Sequence, residues 1–93
     1  MFKLSNIDPE AGAKGCFITF ANGYTVSIQW GPGNYCDNHD FMDWRSQAPN
    51  SATAETAIIK PGGHGFHEYK GDDVQAYQTP AEVLETLNYA ASL

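Results

Sequence analysis

Two short Cys/His spacings are the first places to look for chemistry in this chain. Cys36-Asp37-Asn38-His39 and His64-Gly65-Phe66-His67 each separate two ligand-type side chains by two residues. Four such groups suffice for a tetrahedral zinc site. The set Cys36, His39, His64 and His67 is therefore a metal candidate. The bland alternative is three loop histidines that titrate near neutral pH, and it is the reading preferred here, so no cofactor or metal is expected.

Nucleophilic catalysis by Cys36, with His39 or His64 as base, is a second candidate. A reactive thiolate needs a positive neighbour or a helix N-terminus. Asp37 and Asp40 act the other way. Asp40 and Asp43 lie at i and i+3, a spacing that puts two carboxylates together on a helical turn. No phosphate cradle accompanies them. The chain is read as not being an enzyme.

The fourth candidate is a recognition surface. Trp30, Tyr35, Phe41, Met42, Trp44 and Arg45 crowd into one stretch rich in Gly and Asp. Trp, Tyr and Arg dominate binding hot spots because they bury much area and keep a polar handle. The binding set taken from this stretch is Tyr35, Asp37, Asp40, Phe41, Asp43, Trp44 and Arg45. Trp30 is assigned to the core.

These residues need a scaffold, and the clearest one precedes them. Between Gly15 and Trp30, two runs rich in β-branched and aromatic residues flank Ala21-Asn22-Gly23. A two-residue Asn22-Gly23 loop would pair Ile18 with Ser27 and mix apolar with polar on each face. The helix would then have to pack on Phe17, Val26 and Ile28. A loop of Ala21-Asn22-Gly23 instead pairs Phe20 with Tyr24, Ile18 with Val26 and Cys16 with Ile28. All of these then share one face. Gly23 suits the left-handed closing position. The second register is the one expected.

The second scaffold element is a helix from Pro80 to about Ala91. Thr79, Pro80 and Glu82 form a capping box with Pro at the first helical position. Val83, Leu84, Leu87 and Ala91, widened by Ala90, form the expected apolar stripe. Tyr89 is expected on the polar side with Glu82 and Glu85. Truncating Leu84 or Leu87 to Ala is expected to cost roughly 2–5 kcal/mol.

Between them, Phe2 to Ile7 reads as an edge strand and Asp8 to Gly12 as a turn. Gly31-Pro32-Gly33-Asn34 stops the hairpin. From there to about Ser51 nothing periodic appears: either Asp37 to Arg45 contains a helical turn capped by Asn38 or Asp37, or the segment is a loop of about twenty residues. Ala52 to Lys60 and Gly65 to Tyr69 read as strands and Val74 to Tyr77 as a short strand or connector, separated by turns at Pro61-Gly62-Gly63 and Lys70 to Asp73. The expected fold is α+β: an antiparallel meander of four to five strands with one C-terminal helix packed on one face. It forms a single domain over residues 1–93.

Composition narrows the function classes. Hydrophobic residues make up 42% of the chain, which suits a globular domain. Eleven acids oppose five bases, for a net charge of −6. That argues against direct nucleic-acid binding and fits a partner with a basic surface. No apolar run reaches membrane-span length, and Met1 to Ser5 lacks a signal-peptide core. A cytoplasmic location is expected, with both cysteines as free thiols. Cys16 is assigned to the core and Cys36 to an exposed loop.

The run Phe20-Ala21-Asn22-Gly23-Tyr24-Thr25-Val26-Ser27-Ile28-Gln29-Trp30-Gly31-Pro32-Gly33-Asn34-Tyr35-Cys36 and the ending Thr79 to Glu85 resemble small uncharacterised proteins encoded by bacteriophages and prophages. The resemblance implies a host bacterial cytoplasm. It implies an accessory or counter-defence protein that binds a host protein stoichiometrically. The alternative is a sponge for a nucleotide signal, as a homo-oligomer, with Arg45, Lys60 or amides near Gly31 and Gly62 holding phosphate. The low count of bases weighs against that alternative.

Overall fold

The hairpin forms in the register that puts its apolar residues on one face. In a computed structural model describing residues 2–5, 14–31, 35–37 and 51–93, strand β2 (Lys14–Thr19) pairs with β3 (Thr25–Trp30). Cys16 faces Ile28 and Ile18 faces Val26. Phe20 N–H donates to Tyr24 O at 2.8 Å and Gly23 N–H to Phe20 O at 2.9 Å. Gly23 has φ 89°, a conformation that a side chain would strain. The turn at Asp8 to Gly12 lies outside the described residues, as do residues 32–34 of the expected stop after the hairpin and residues 38–50 of the long loop.

The sheet grows on both sides of this hairpin. β1 (Phe2–Ser5) pairs with β2, and β4 (Ala54–Ile59) pairs with β3, all antiparallel. Val26 then faces Ile58, and Ile28 faces Thr56. The return strand comes in two pieces along the far edge of β4. β5 (Phe66–His67) pairs with Ile58 and Ile59, and β6 (Val74–Gln78) pairs with Ala54 to Ala57. Residues 68–73 leave the sheet between them. Tyr69 and Asp72 exchange backbone bonds across Lys70 (φ 53°) and Gly71 (φ 86°). Positive φ at both central positions matches the twist of a tight hairpin.

Helix α1 (Pro80–Ala91) covers one face, so the architecture is α+β as expected. Its capping box forms: Glu82 N–H donates to Thr79 Oγ1 and Thr79 N–H to Glu82 Oε1. The core is Val26, Ile58 and Ala90, flanked by Phe20, Tyr24, Ile28, Tyr69, Leu87 and Tyr89. Burying a Val or Ile side chain contributes about 1.5–3 kcal/mol.

The helix seats differently from its apolar stripe. Leu84 is 57% exposed and Ala91 is exposed, while Thr86 and Ala90 are buried. The reason is a polar anchor. Thr56 Oγ1 donates to Gln78 Oε1 at 2.7 Å, and Thr86 Oγ1 lies 3.0 Å from the same oxygen. Turning Thr86 inward moves Leu84 out. It also brings Tyr89 off the polar side. Tyr89 stacks on Tyr69 at 4.4 Å, and its hydroxyl bonds His67 Nε2 at 2.8 Å. Lys70 reaches Glu85 at 3.5 Å across the same junction.

The hairpin turn also grips the end of the helix. Asn22 Nδ2 donates to Ala90 O at 2.9 Å and Leu93 O at 3.1 Å, with Ala91 O further away at 3.4 Å. Ala90 and Ala91 belong to the last turn of α1, whose carbonyls lack the full set of intrahelical donors, and Leu93 follows the Ser92 cap. The free carboxamide oxygen accepts from Tyr24 N–H at 3.0 Å. Among the described residues, no helix is long and apolar enough to cross a membrane.

Candidate binding surface

The segment Tyr35 to Asp37 is pinned to the sheet by its middle residue. Cys36 is fully buried, and Gly31 N–H donates to its Sγ at 3.2 Å. The thiol points back at Gly31 O, 3.8 Å away. Cys36 is therefore tied to Gly31 at the end of β3 and buried, rather than exposed. Cys16 is only half-buried, and burial pushes its thiol above the ordinary 9.0.

Side chains on β4 and just before it hold the backbone on either side. Tyr35 N–H donates to Glu55 Oε2 at 2.8 Å, and Asp37 N–H to Thr53 Oγ1 at 2.9 Å. The strand edge supplies the third tie, because Tyr77 N–H donates to Tyr35 O at 2.9 Å. That donor is aimed outward by a bulge. Thr56 pairs with Gln75 and Ala54 with Gln78, so Ala76 and Tyr77 together oppose Glu55. Tyr77 has φ 52°, unusual for a residue with a side chain. Such strain costs of the order of 1–3 kcal/mol, and it gathers where a protein binds or reacts.

Two tyrosines emerge from this arrangement. Tyr35 is 62% exposed and Tyr77 is 45% exposed. Beside Tyr35, Asp72, Asp73, Val74 and Ala76 line a shallow hollow. Asp37 is exposed at the end of the pinned segment. The patch thus offers aromatic area with acidic groups around it, and no base lines the hollow among the described residues.

Of the expected binding set, Tyr35 and Asp37 join this patch. Asp40, Phe41, Asp43, Trp44 and Arg45 lie outside the described residues. Tyr77 and Glu55 escaped the sequence reading, because Gln75-Ala76-Tyr77-Gln78 contains no glycine to mark a bulge. The Gly71 turn was the nearest available signal.

The Cys/His set does not converge. Cys36 sits past the Trp30 end of β3. His64 is exposed after the turn at Pro61 to Gly63, beyond the strand end that pairs with Thr25. A strand of this length spans roughly 20 Å. His67 is engaged with Tyr89 and packs edge-on against Tyr24, with ring centroids 5.6 Å apart. His39 lies outside the described residues. Among those described, no three His, Cys, Asp or Glu side chains gather around a point that a metal ion could occupy. The same separation leaves Cys36 without His64 as a base.

A second concavity, of about 440 Å³, lies on the helix side between Ile28, Trp30, Ala54, Pro80 and Val83. Trp30 is thus half-buried and forms one wall. Among its described lining residues Ser51, Thr53 and Gln78 are polar and none is charged. Comparisons with protein-family models, with curated proteins and with solved structures find no match to this chain.

Proposed function

We propose that this chain is a non-enzymatic binding module that acts on another protein by stoichiometric contact, through the patch of Tyr35, Asp37, Asp72, Asp73 and Tyr77. One observation carries the reading. A strained bulge and a buried thiol hold the backbone at two tyrosines with exposed ring area, Tyr35 at 62% and Tyr77 at 45%. Exposed, rigidly held tyrosines give contact area at low entropic cost. The surrounding acids and the net charge of −6 suit a partner with a basic surface. In the setting the sequence resemblance implies, the partner is a host protein in a bacterial cell, and the role is that of a phage accessory or counter-defence factor.

The test is capture from bacterial lysate with identification by mass spectrometry, comparing the native chain with Tyr35→Ala/Tyr77→Gly. Glycine at position 77 relaxes the positive φ, so the variant is expected to stay folded. A host protein held by the native chain and released by the variant supports the patch. A folded variant that keeps every partner refutes it. Calorimetry against a panel of nucleotides checks the sponge reading, and no heat is expected.

A further inference from the structure

We propose that Asn22-Gly23 is a latent deamidation site that the C-terminus of α1 holds shut. It is the one Asn-Gly pair in the sequence. Glycine after asparagine leaves the following backbone nitrogen unhindered, since no side chain shields it. That nitrogen attacks the asparagine side-chain carbonyl carbon. A bond forms between Gly23 N and Asn22 Cγ, the Cγ–Nδ2 bond breaks, and ammonia leaves with the proton that Gly23 N gives up. Water then opens the five-membered imide at either carbonyl, leaving aspartate or isoaspartate.

Both reacting groups are tied in the folded protein. Gly23 N–H is donated to Phe20 O at 2.9 Å, so the proton that must leave is engaged. The carboxamide is fixed at both ends. Nδ2 is held by Ala90 O and Leu93 O, and Oδ1 by Tyr24 N–H. Swinging Cγ onto Gly23 N breaks these bonds and frees the helix end. The reaction therefore draws on the fraction of molecules in which turn and helix have parted.

The product cannot restore the clasp. A carboxylate at position 22 has no N–H to give and faces carbonyl oxygens at the negative end of the helix. Isoaspartate also inserts an extra backbone atom into the turn. Each event releases the helix terminus irreversibly, and the molecule records how long its turn has been open.

The experiment is a time course of intact mass and peptide mapping at mildly alkaline pH. It compares the native chain in buffer, the same chain in urea, and a chain ending at Ala90 in buffer. The native fold is expected to slow conversion at Asn22 at least about tenfold relative to urea, equivalent to about 1.4 kcal/mol of local opening. The shortened chain is expected to fall between them, with its folding checked by circular dichroism. If it fails to fold, the buffer-to-urea ratio of the native chain decides alone. Equal rates in buffer and urea overturn the proposal. So does faster conversion at another asparagine in urea. Deamidated protein separated by ion exchange is expected to melt several degrees below the parent, and an unchanged melting temperature overturns the clasp's role.

Discussion

Removing the hydroxyls that anchor the helix should give a strongly non-additive result. Thr56 and Thr86 are fully buried, and Gln78 is 5% exposed. Thr56 Oγ1 lies 2.7 Å from Gln78 Oε1 and Thr86 Oγ1 lies 3.0 Å from it. Thr86 also has Glu82 O at 3.1 Å, so its single proton has two acceptors to choose from. Thr86→Val removes one donor and keeps the shape. Gln78 Oε1 retains Thr56, and the cost is one net hydrogen bond, about 0.5–1.5 kcal/mol. Thr56→Val is matched, because Thr86 then turns fully onto Gln78. The double variant leaves the buried carbonyl oxygen without either donor. That exposes a desolvation penalty of about 1–3 kcal/mol that neither single variant meets. A double-mutant cycle by urea denaturation should therefore give a coupling of about 1–2 kcal/mol. Adding Gln78→Leu to the double variant should recover part of the loss, since the polar group itself is gone. Additivity within about 0.3 kcal/mol would show that the three side chains do not act as one unit, and the account of why Thr86 faces inward would fall.

Three further outcomes are expected. Leu84→Ala should change stability by less than about 0.5 kcal/mol, because the side chain is 57% exposed. Leu87→Ala, against the core, should cost about 2–3 kcal/mol, and equal melting temperatures for the two variants would contradict the observed seating. Tyr89→Phe keeps the stack on Tyr69 and removes the bond to His67, so it should cost about 1 kcal/mol in denaturant titration, whereas no change would mean the hydroxyl is better served by water. The Thr79 backbone N–H, followed by the Thr79 side chain, holds the Glu82 carboxyl below its ordinary 4.5. A lowered folded value stabilises the protein above pH 4.5 and is lost as pH falls through that lower value. Glu82→Gln, which can still reach Thr79 N–H, should flatten this part of the acid limb in denaturant midpoints measured against pH.

The proposed binding surface rests on physical grounds that a sequence only half discloses. Tyr35 and the acids around it stand out by residue type, since exposed aromatics beside carboxylates suit recognition. Their partner in the patch does not. Tyr77 reads as an ordinary strand residue, and only the two-against-one pairing opposite Glu55 gives it a positive φ and turns its N–H outward. Cys36 was misplaced for a similar reason. Its sequence neighbours are polar, but its thiol is fully buried and accepts from Gly31 N–H.

What the sequence by itself determined is local. The register of the β2–β3 hairpin follows from a period of two, which would scatter apolar residues over both faces if slipped by one. The helix start follows from Thr79, Pro80 and Glu82, whose bonds lie within a single turn. Tertiary structure alone decided which way that helix faces. Apolar spacing places Leu84 in the stripe, but a buried Gln78 between Thr56 and Thr86 costs more when unmet than an exposed leucine does. It also decided that the return strand breaks after His67, so that Tyr69 can reach Tyr89. And it gave Asn22 a second role. The residue that shapes the hairpin turn also closes the last turn of a helix nearly seventy residues later, with |i−j| of 68 to Ala90 O. No local pattern carries such a contact, because it exists only once the sheet has brought both ends together.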